Sequence, residues 1–361
     1  MVSKSITPVI IFSVNKKRAY DFLFINKKGD FFMAKVAIIG SGGFGCSIGI
    51  LLNKNNHEVK IWSYSQNEID QINKTHENKD FLPGIKIPES IFFSNNSEEI
   101  LSDAEFIINA LPSKFVRATL KNFSFKPNQK ILSVSKGIED KTFMRMSEVI
   151  YDVTKNNNIA ALSGPTHAEE VSKFLPTACV VASKNINLAH EIQKLFNNDF
   201  FRVYTSSDII GVELGGTLKN IIALATGISD GLGFGDNTRA SLITRGLIEI
   251  SRFGEKMGAK PETFNGLSGL GDLITTCVSE HGRNRRAGIL LGQGMKLDQV
   301  VEKIKMVVEG ANNIKPVYEL AKKSNLELPI IFEVHKILFE NKDPKQSVLD
   351  LMLRAPKPEQ I

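Results

Sequence analysis

Residues Val36 to Gly45 read V-A-I-I-G-S-G-G-F-G, a short apolar run that ends in glycines at positions 40, 42 and 45. Lys35–Ile39 reads as a strand, Phe44–Asn53 as a helix and Glu58–Trp62 as a second strand. That order and spacing are those of a dinucleotide-binding turn. Gly40 permits the sharp turn, Gly42 lets backbone approach a pyrophosphate, and Gly45 lets the helix pack closely on the strand. Phosphate charge then meets the free N–H groups and the dipole at a helix N-terminus. A glycine loop without a ligand is the alternative, and the strand–turn–helix–strand context disfavours it.

The same texture continues to about Tyr204. Candidate strands are Lys35–Ile39, Glu58–Trp62, Glu105–Ala110, Lys130–Val134, Ile159–Leu162 and Ala178–Ala182. Candidate helices begin near Phe44, Gln66, Ser113, Phe143, Thr166 and Asn187. Near-continuous apolar strands joined by helices predict a mostly parallel sheet covered on both faces. Ligands of such sheets lie beyond the carboxyl ends of the strands. Asn109–Ser113, Ser135–Gly137 and Ser163–Thr166 all fall at those ends, which predicts one functional face. After about Ser206 strand alternation stops. Helical patterns follow at Asp208–Ser229, Thr238–Met257, Arg283–Leu291, Leu297–Lys303, Val308–Lys322 and Leu328–Phe339. The fold class is therefore α/β: a Rossmann-like, mostly parallel sheet domain over residues 34–206, then an all-α domain over residues 207–361.

Length and composition agree with two domains and a substantial core: 361 residues, 42% hydrophobic and 23% charged. A net charge of +6 suits an anionic small ligand. It is too modest and too dispersed for a nucleic-acid partner. Cys46, Cys179 and Cys277 lie far apart, so neither a zinc site nor a disulfide framework is expected, and no metal is assigned. They read as small buried hydrophobes in a reducing, cytoplasmic setting. No stretch reads as long and apolar enough to span a bilayer. A homodimer is compatible with the sequence and is not required by it.

The first 33 residues look foreign to this pattern. Residues 1–32 carry six Lys and Arg against Asp21 and Asp30, with no clear helical or strand period. The segment reads as a disordered extension or a misassigned start ahead of Met33. A targeting segment is the minor alternative, because Pro8–Val14 is short for a signal core.

Chemistry concentrates in the second half. Gly211–Asn220 reads G-V-E-L-G-G-T-L-K-N and runs into Ile221-Ile222-Ala223-Leu224-Ala225. Burying Lys219 there would lower its pKa and turn it toward proton transfer near neutral pH. A lysine snorkelling from the helix surface is the alternative. Gly269-Leu270-Gly271-Asp272-Leu273 sets a carboxylate in a glycine turn, where Asp272 could hold Lys219 or simply cap a helix. Arg283-Asn284-Arg285-Arg286 offers planar donors matched to phosphate, against the alternative of a solvated basic patch. Lys136 after its strand has a similar status.

Taken in order, these motifs resemble those of the bacterial NAD(P)-dependent glycerol-3-phosphate dehydrogenase family, from Met33 to about Leu353. The resemblance rests on the glycine turn together with F-L-P-G at Phe81–Gly84, S-K-G at Ser135–Gly137 and S-G-P-T at Ser163–Thr166. It continues through L-P-T at Leu175–Thr177, the Lys219 segment, S-D-G-L-G-F-G at Ser229–Gly235 and T-R-G-L at Thr244–Leu247. G-L-G-D-L at Gly269–Leu273, R-N-R-R at Arg283–Arg286 and V-V-E-G at Val307–Gly310 complete it. The resemblance implies hydride transfer between NADPH or NADH and dihydroxyacetone phosphate, giving sn-glycerol 3-phosphate for glycerophospholipid synthesis. It implies Lys219 as proton donor and acceptor. It implies Lys136, Gly164, Thr166, Asp272, Gly282, Arg283 and Asn284 around the substrate. The glycines 40, 42, 43 and 45, with Phe44, Tyr64, Lys136, Ala168, Arg283, Val307 and Glu309, fall where the family meets its cofactor. Gly43 and Gly282 depart from the pattern, each standing where relatives often have serine. Another two-domain hydroxyacid or ketoacid reductase is the alternative.

A dedicated NAD site would place an acid at the end of the second strand, about 20 residues past the glycines. This chain has Trp62-Ser63-Tyr64-Ser65 there, with neither an acid nor an arginine. Use of both cofactors is expected, with a modest preference for NADPH.

Overall fold

Among the described residues, the apolar runs of the first half form eight strands. They are β1 (Lys35–Ile39), β2 (Glu58–Trp62), β3 (Phe92–Ser94), β4 (Phe106–Asn109), β5 (Lys130–Ser133), β6 (Ile159–Ser163), β7 (Thr177–Ala182) and β8 (Phe201–Ser206). The computed structural model describes residues 33–280, 282–304, 306–356 and 358–359. The expectation about residues 1–32 therefore lies outside the described residues. The strands join in one sheet ordered β3-β2-β1-β4-β5-β6-β7-β8. Every neighbouring pair is parallel except β6–β7, which is antiparallel.

Between the strands lie α1 (Gly43–Lys54), α2 (Gln66–Thr75), α3 (Ser97–Leu101), α4 (Val116–Leu120), α5 (Met146–Thr154), α6 (Ala168–Val171) and α7 (Ile186–Phe196). Side chains alternate across the sheet, so β1 contributes Val36 and Ile38 to one apolar layer and Ala37 and Ile39 to the other. The first layer packs against α1 and α7, and the second against α4 and α5. Coverage on both faces explains why the parallel strands read as unbroken apolar runs. Phe143 does not begin a helix as expected. Lys141 and Phe143 both have left-handed backbone (φ 68° and 58°), so α5 starts three residues later.

From Ile209 onward the chain is helical: α8 (Ile209–Gly231), α9 (Asp236–Lys256), α10 (Pro261–Phe264), α11 (Asp272–Val278), α12 (Arg283–Gly292), α13 (Leu297–Ile304), α14 (Glu309–Lys323), α15 (Pro329–Phe339) and α16 (Pro344–Met352). A π-type turn, Leu267–Gly271, leads into α11. The reading that no stretch could span a bilayer needs correcting for α8. It is long and apolar enough, but 94% of its most apolar window is buried inside the protein, as the central helix of the second core.

Helices α8 and α12 touch backbone to backbone. A Cβ on Gly288 would lie 2.3 Å from the Leu224 carbonyl oxygen and 2.8 Å from the Gly227 Cα. This approach sets the height of Arg283 and Asn284, at the start of α12, relative to Lys219 on α8.

Candidate active site

Three parallel strands end side by side and deliver the first groups. Asn109 closes β4 and donates through Nδ2 to the Ser135 hydroxyl, 2.9 Å away, on the segment that follows β5. Lys136 comes next, and Ser163 closes β6. The strand-end segments expected to share one face do lie side by side at these carboxyl ends.

The helical half meets that face through Asp272, the first residue of α11. Asp272 Oδ2 accepts from Lys136 Nζ at 2.7 Å and from the Ser163 hydroxyl at 3.2 Å. Asp272 Oδ1 accepts from Lys219 Nζ. Lys219 also donates to Thr276 Oγ1 at 2.7 Å, and the Thr276 hydroxyl donates to the Asp272 carbonyl at 2.7 Å. Lys219 is thus not a snorkelling surface lysine: it is 6% exposed and Asp272 2%. The small residue at 216 makes room, because a Cβ there would lie 2.4 Å from Ser163 Oγ and 3.4 Å from Lys136 Cδ.

Burial pushes the Lys219 pKa down to about 7; the Asp272 charge opposes this and the Lys136 charge adds to it. Burial alone would raise the Asp272 carboxyl. The ammonium groups of Lys136 and Lys219 outweigh that and hold it below the ordinary carboxylate range. His167, which precedes α6, is within electrostatic reach of both groups. Its pKa is lowered by burial and then by the Lys219 charge.

The segment carrying Lys136 is fastened from α14. Asn313 Oδ1 accepts from the Ile138 N–H at 3.0 Å, and Asn313 Nδ2 donates to the Lys136 carbonyl at 3.4 Å. Gly164 and Thr166 follow Ser163 on the same face, with the Thr166 hydroxyl donating to the Gly164 carbonyl. Gly164 has φ +151° and passes within 2.8 Å of Cys179, measured from a built Cβ, so only glycine fits there.

The basic run at 283–286 divides. Arg283 is exposed at the start of α12, and its charge acts on the Glu309 carboxyl. Asn284 is buried and joins helices, donating to Asn220 Oδ1 and accepting from the Gly310 N–H, both at 2.9 Å. Arg285 is bound to Asp230 at 2.8 Å, so it is a structural ion pair. The start of α12 has no side-chain cap and no acid in its first turn. At Gly282 a Cβ would lie 2.9 Å from the Thr276 carbonyl oxygen.

The glycine turn fits a dinucleotide. Gly40 has φ +117°, and a Cβ on Gly45 would lie 1.9 Å from the Gly40 carbonyl oxygen. Gly42 precedes α1 with open space beside it, no side-chain cap and no acid in the first turn. That leaves helix N–H groups for a diphosphate. At Gly43 a Cβ would lie 2.5 Å from the Phe81 carbonyl oxygen. Phe44 packs on the sheet core. The Ala168 carbonyl accepts from Ser47 of α1 at 2.9 Å. Glu309 accepts from the N–H and hydroxyl of Ser113, just past β4, at 3.1 and 2.7 Å. Val307 lies half-buried two residues ahead of it, and Tyr64 is 87% exposed at the end of β2.

Thr276 and Asn313 are residues of this network that the motifs did not single out. Thr276 stands four residues after Asp272, one helical turn on the same face, which was a readable signal.

Residues 35–189 and 208–349 match the models of the N- and C-terminal parts of NAD-dependent glycerol-3-phosphate dehydrogenase. The glycerol-3-phosphate dehydrogenase [NAD(P)+] of Fusobacterium nucleatum is 49% identical over 329 residues, covering 90% of this chain and 98% of the relative. That of Bacillus velezensis is 49% identical over 328 residues, covering 90% and 95%. A crystal structure of glycerol-3-phosphate dehydrogenase from Coxiella burnetii superposes with a TM-score of 0.85 at 36% identity, covering 89% of this chain and 99% of that one. A ketopantoate reductase from Ralstonia eutropha shares the fold alone, with a TM-score of 0.58 at 14% identity. The chain belongs to the NAD-dependent glycerol-3-phosphate dehydrogenase family.

Proposed function

We propose that this protein reduces dihydroxyacetone phosphate to sn-glycerol 3-phosphate with NADPH or NADH, and that Lys219 moves the proton. The observation that carries this is the buried Lys219 ammonium, held by Asp272 and Thr276 at the carboxyl ends of the sheet strands. In this reading residues 34–206 hold the dinucleotide and residues 207–361 hold the substrate. The segment 1–33 contributes to neither task.

The bound nicotinamide supplies the hydride. The glycines at 40, 42, 43 and 45 and the start of α1 hold its diphosphate, with Phe44, Tyr64, Ala168, Val307 and Glu309 along its length. The uncapped start of α12 and the Arg283 guanidinium hold the substrate phosphate; charge and free N–H groups favour an anion there. Lys136, Gly164, Thr166 and Asn284 shape the remaining wall.

Lys219 has three hydrogens. Asp272 and Thr276 take two and aim the third at the carbonyl oxygen of the substrate. As that oxygen gains charge, Lys219 gives up its proton and becomes neutral, which its lowered pKa makes accessible near pH 7. Asp272 does not capture the proton, because its own pKa is held low. Fixing both reactants in one cleft supplies much of the acceleration.

The product would serve glycerophospholipid synthesis in the cytoplasm. The test is nicotinamide oxidation with dihydroxyacetone phosphate beside unphosphorylated dihydroxyacetone and a 2-keto acid. The phosphorylated ketone should be preferred by several orders of magnitude. Equal turnover of a 2-keto acid would move the protein to the hydroxyacid reductases.

A further inference from the structure

The end of β2 carries a choice between cofactors. Ser41, inside the glycine turn, donates its hydroxyl hydrogen to Ser63 Oγ at 2.9 Å. Ser63 donates in turn to Glu68 Oε2, also at 2.9 Å. Asn78 Nδ2 lies 2.7 Å from Glu68 Oε1 and 2.8 Å from the Ser41 carbonyl. The relay therefore runs from the phosphate-binding turn to one carboxylate on the first turn of α2. Among the described residues no Lys or Arg forms a hydrogen bond or ion pair with Ser41, Ser63 or Glu68. Tyr64, beside Ser63, is exposed and brings no positive charge.

In sheets of this type the adenosine ribose lies at the end of the second strand, where an acid takes the 2′-hydroxyl. The segment Trp62–Ser65 holds no acid, which is why the sequence alone points toward NADPH. Glu68 lies three residues further on, and α2 folds its carboxylate back onto Ser63. We propose that Glu68 makes this protein select the dinucleotide with a free ribose 2′-hydroxyl, NADH, over the one with a 2′-phosphate. The Ser41 and Ser63 hydroxyl hydrogens both point down the relay toward the carboxylate. A ribose hydroxyl can donate to that acceptor-rich surface. A 2′-phosphate brings about −1.5 to −2 charges and only acceptors, and meets the Glu68 charge with no cation between them. This rests on the reading that the glycine turn holds the dinucleotide.

The chain provides its own probe. Trp62, the single tryptophan, ends β2 immediately before Ser63. Its fluorescence is titrated in the full-length protein with NADH and NADPH. The nicotinamide-free pair 5′-AMP and adenosine 2′,5′-bisphosphate is titrated in the same way. NADH should bind about tenfold or more tightly than NADPH, and 5′-AMP more tightly than the bisphosphate. In Glu68→Gln the NADPH-to-NADH ratio of Kd values should fall about tenfold. In the wild type that ratio should shrink as ionic strength rises, which needs no variant. Equal or tighter binding of NADPH by the wild type overturns the proposal. So does an unchanged ratio in a folded Glu68→Gln protein. Failure to reduce dihydroxyacetone phosphate with either cofactor would sink the proposed reaction, while the binding ratio would still decide the role of Glu68.

Discussion

At the residue scale the protein turns on a charge that is expensive to bury. Lys219→Ala removes the proposed proton donor and should lower kcat about 10²–10⁴-fold, the usual range for a lost general acid. Near-normal turnover would remove the assignment. The pH dependence has a definite sign. In the proposed reaction, reduction needs Lys219 protonated, and burial pushes its pKa down to about 7. The reduction rate should therefore fall as pH rises through about 7, and the rate of the reverse oxidation should rise over the same window. Profiles measured in both directions check this, and parallel profiles would contradict it. Arg283→Ala should act mainly on KM for dihydroxyacetone phosphate. A charge-assisted hydrogen bond contributes about 1.5–3 kcal/mol, so KM should rise about 10–150-fold. Much of this site was legible. Glycine spacing is a local property, and a lysine entering an apolar helix is visible without a fold. Asn313 was not legible, because its role exists only once α14 closes on the segment carrying Lys136.

At the element scale the helical core depends on missing side chains. Gly288 of α12 rests on the Leu224 carbonyl and Gly227 of α8, with a built Cβ only 2.3 and 2.8 Å from them. Gly288→Ala must push the helices apart, and such overpacking costs about 1–3 kcal/mol. It should lower Tm and also raise KM for the phosphorylated ketone, because Arg283 rides on α12. A lower Tm with unchanged KM would separate the two effects. Glu249 of α9 does a different job: its carboxylate accepts from the N–H groups of Ile330 and Ile331 at the start of α15, at 2.8 and 3.1 Å. Burial pushes its pKa up to about 7 from an ordinary 4.5, against the pull of those bonds. A raised folded pKa means stability that is present below about 4.5 and lost as pH rises through 7. Comparing Glu249→Gln with the wild type by thermal unfolding at pH 5 and 8, the difference should move in favour of the variant, by on the order of 3 kcal/mol. The long or fully buried elements were readable: β1 and β2 have the expected bounds. The three-residue β3 and the short helices α10 and α11 were not, because too few residues carry the period. The alternation of β8 fell at the change of texture, where strand signals stop.

At the scale of the whole molecule, charge and chemistry come from different parts of the chain. The net charge is +6, and residues 1–32 supply +4 of it, with six basic residues against two acidic ones. The remainder is left with +2, close to neutral for its size. Attraction of the anionic substrate and cofactor should then arise from local groups, namely Arg283, Lys136 and the open starts of α1 and α12, and not from the overall balance. Local attraction is still weakened by salt, since charges in an open cleft are screened beyond about 10 Å at 0.1 M. A chain begun at Met33 should therefore keep its kcat, its Tm and the slope of kcat/KM against ionic strength, although it has lost two thirds of its net charge. The family match supports this independently, because the matched residues begin at Lys35. Stopped-flow binding of NADH at several salt concentrations, on both the full chain and the one begun at Met33, checks the argument. If the shorter chain binds several-fold more slowly at low salt and the two converge at high salt, the basic segment takes part in capture. Its positive charge would then belong to the working enzyme.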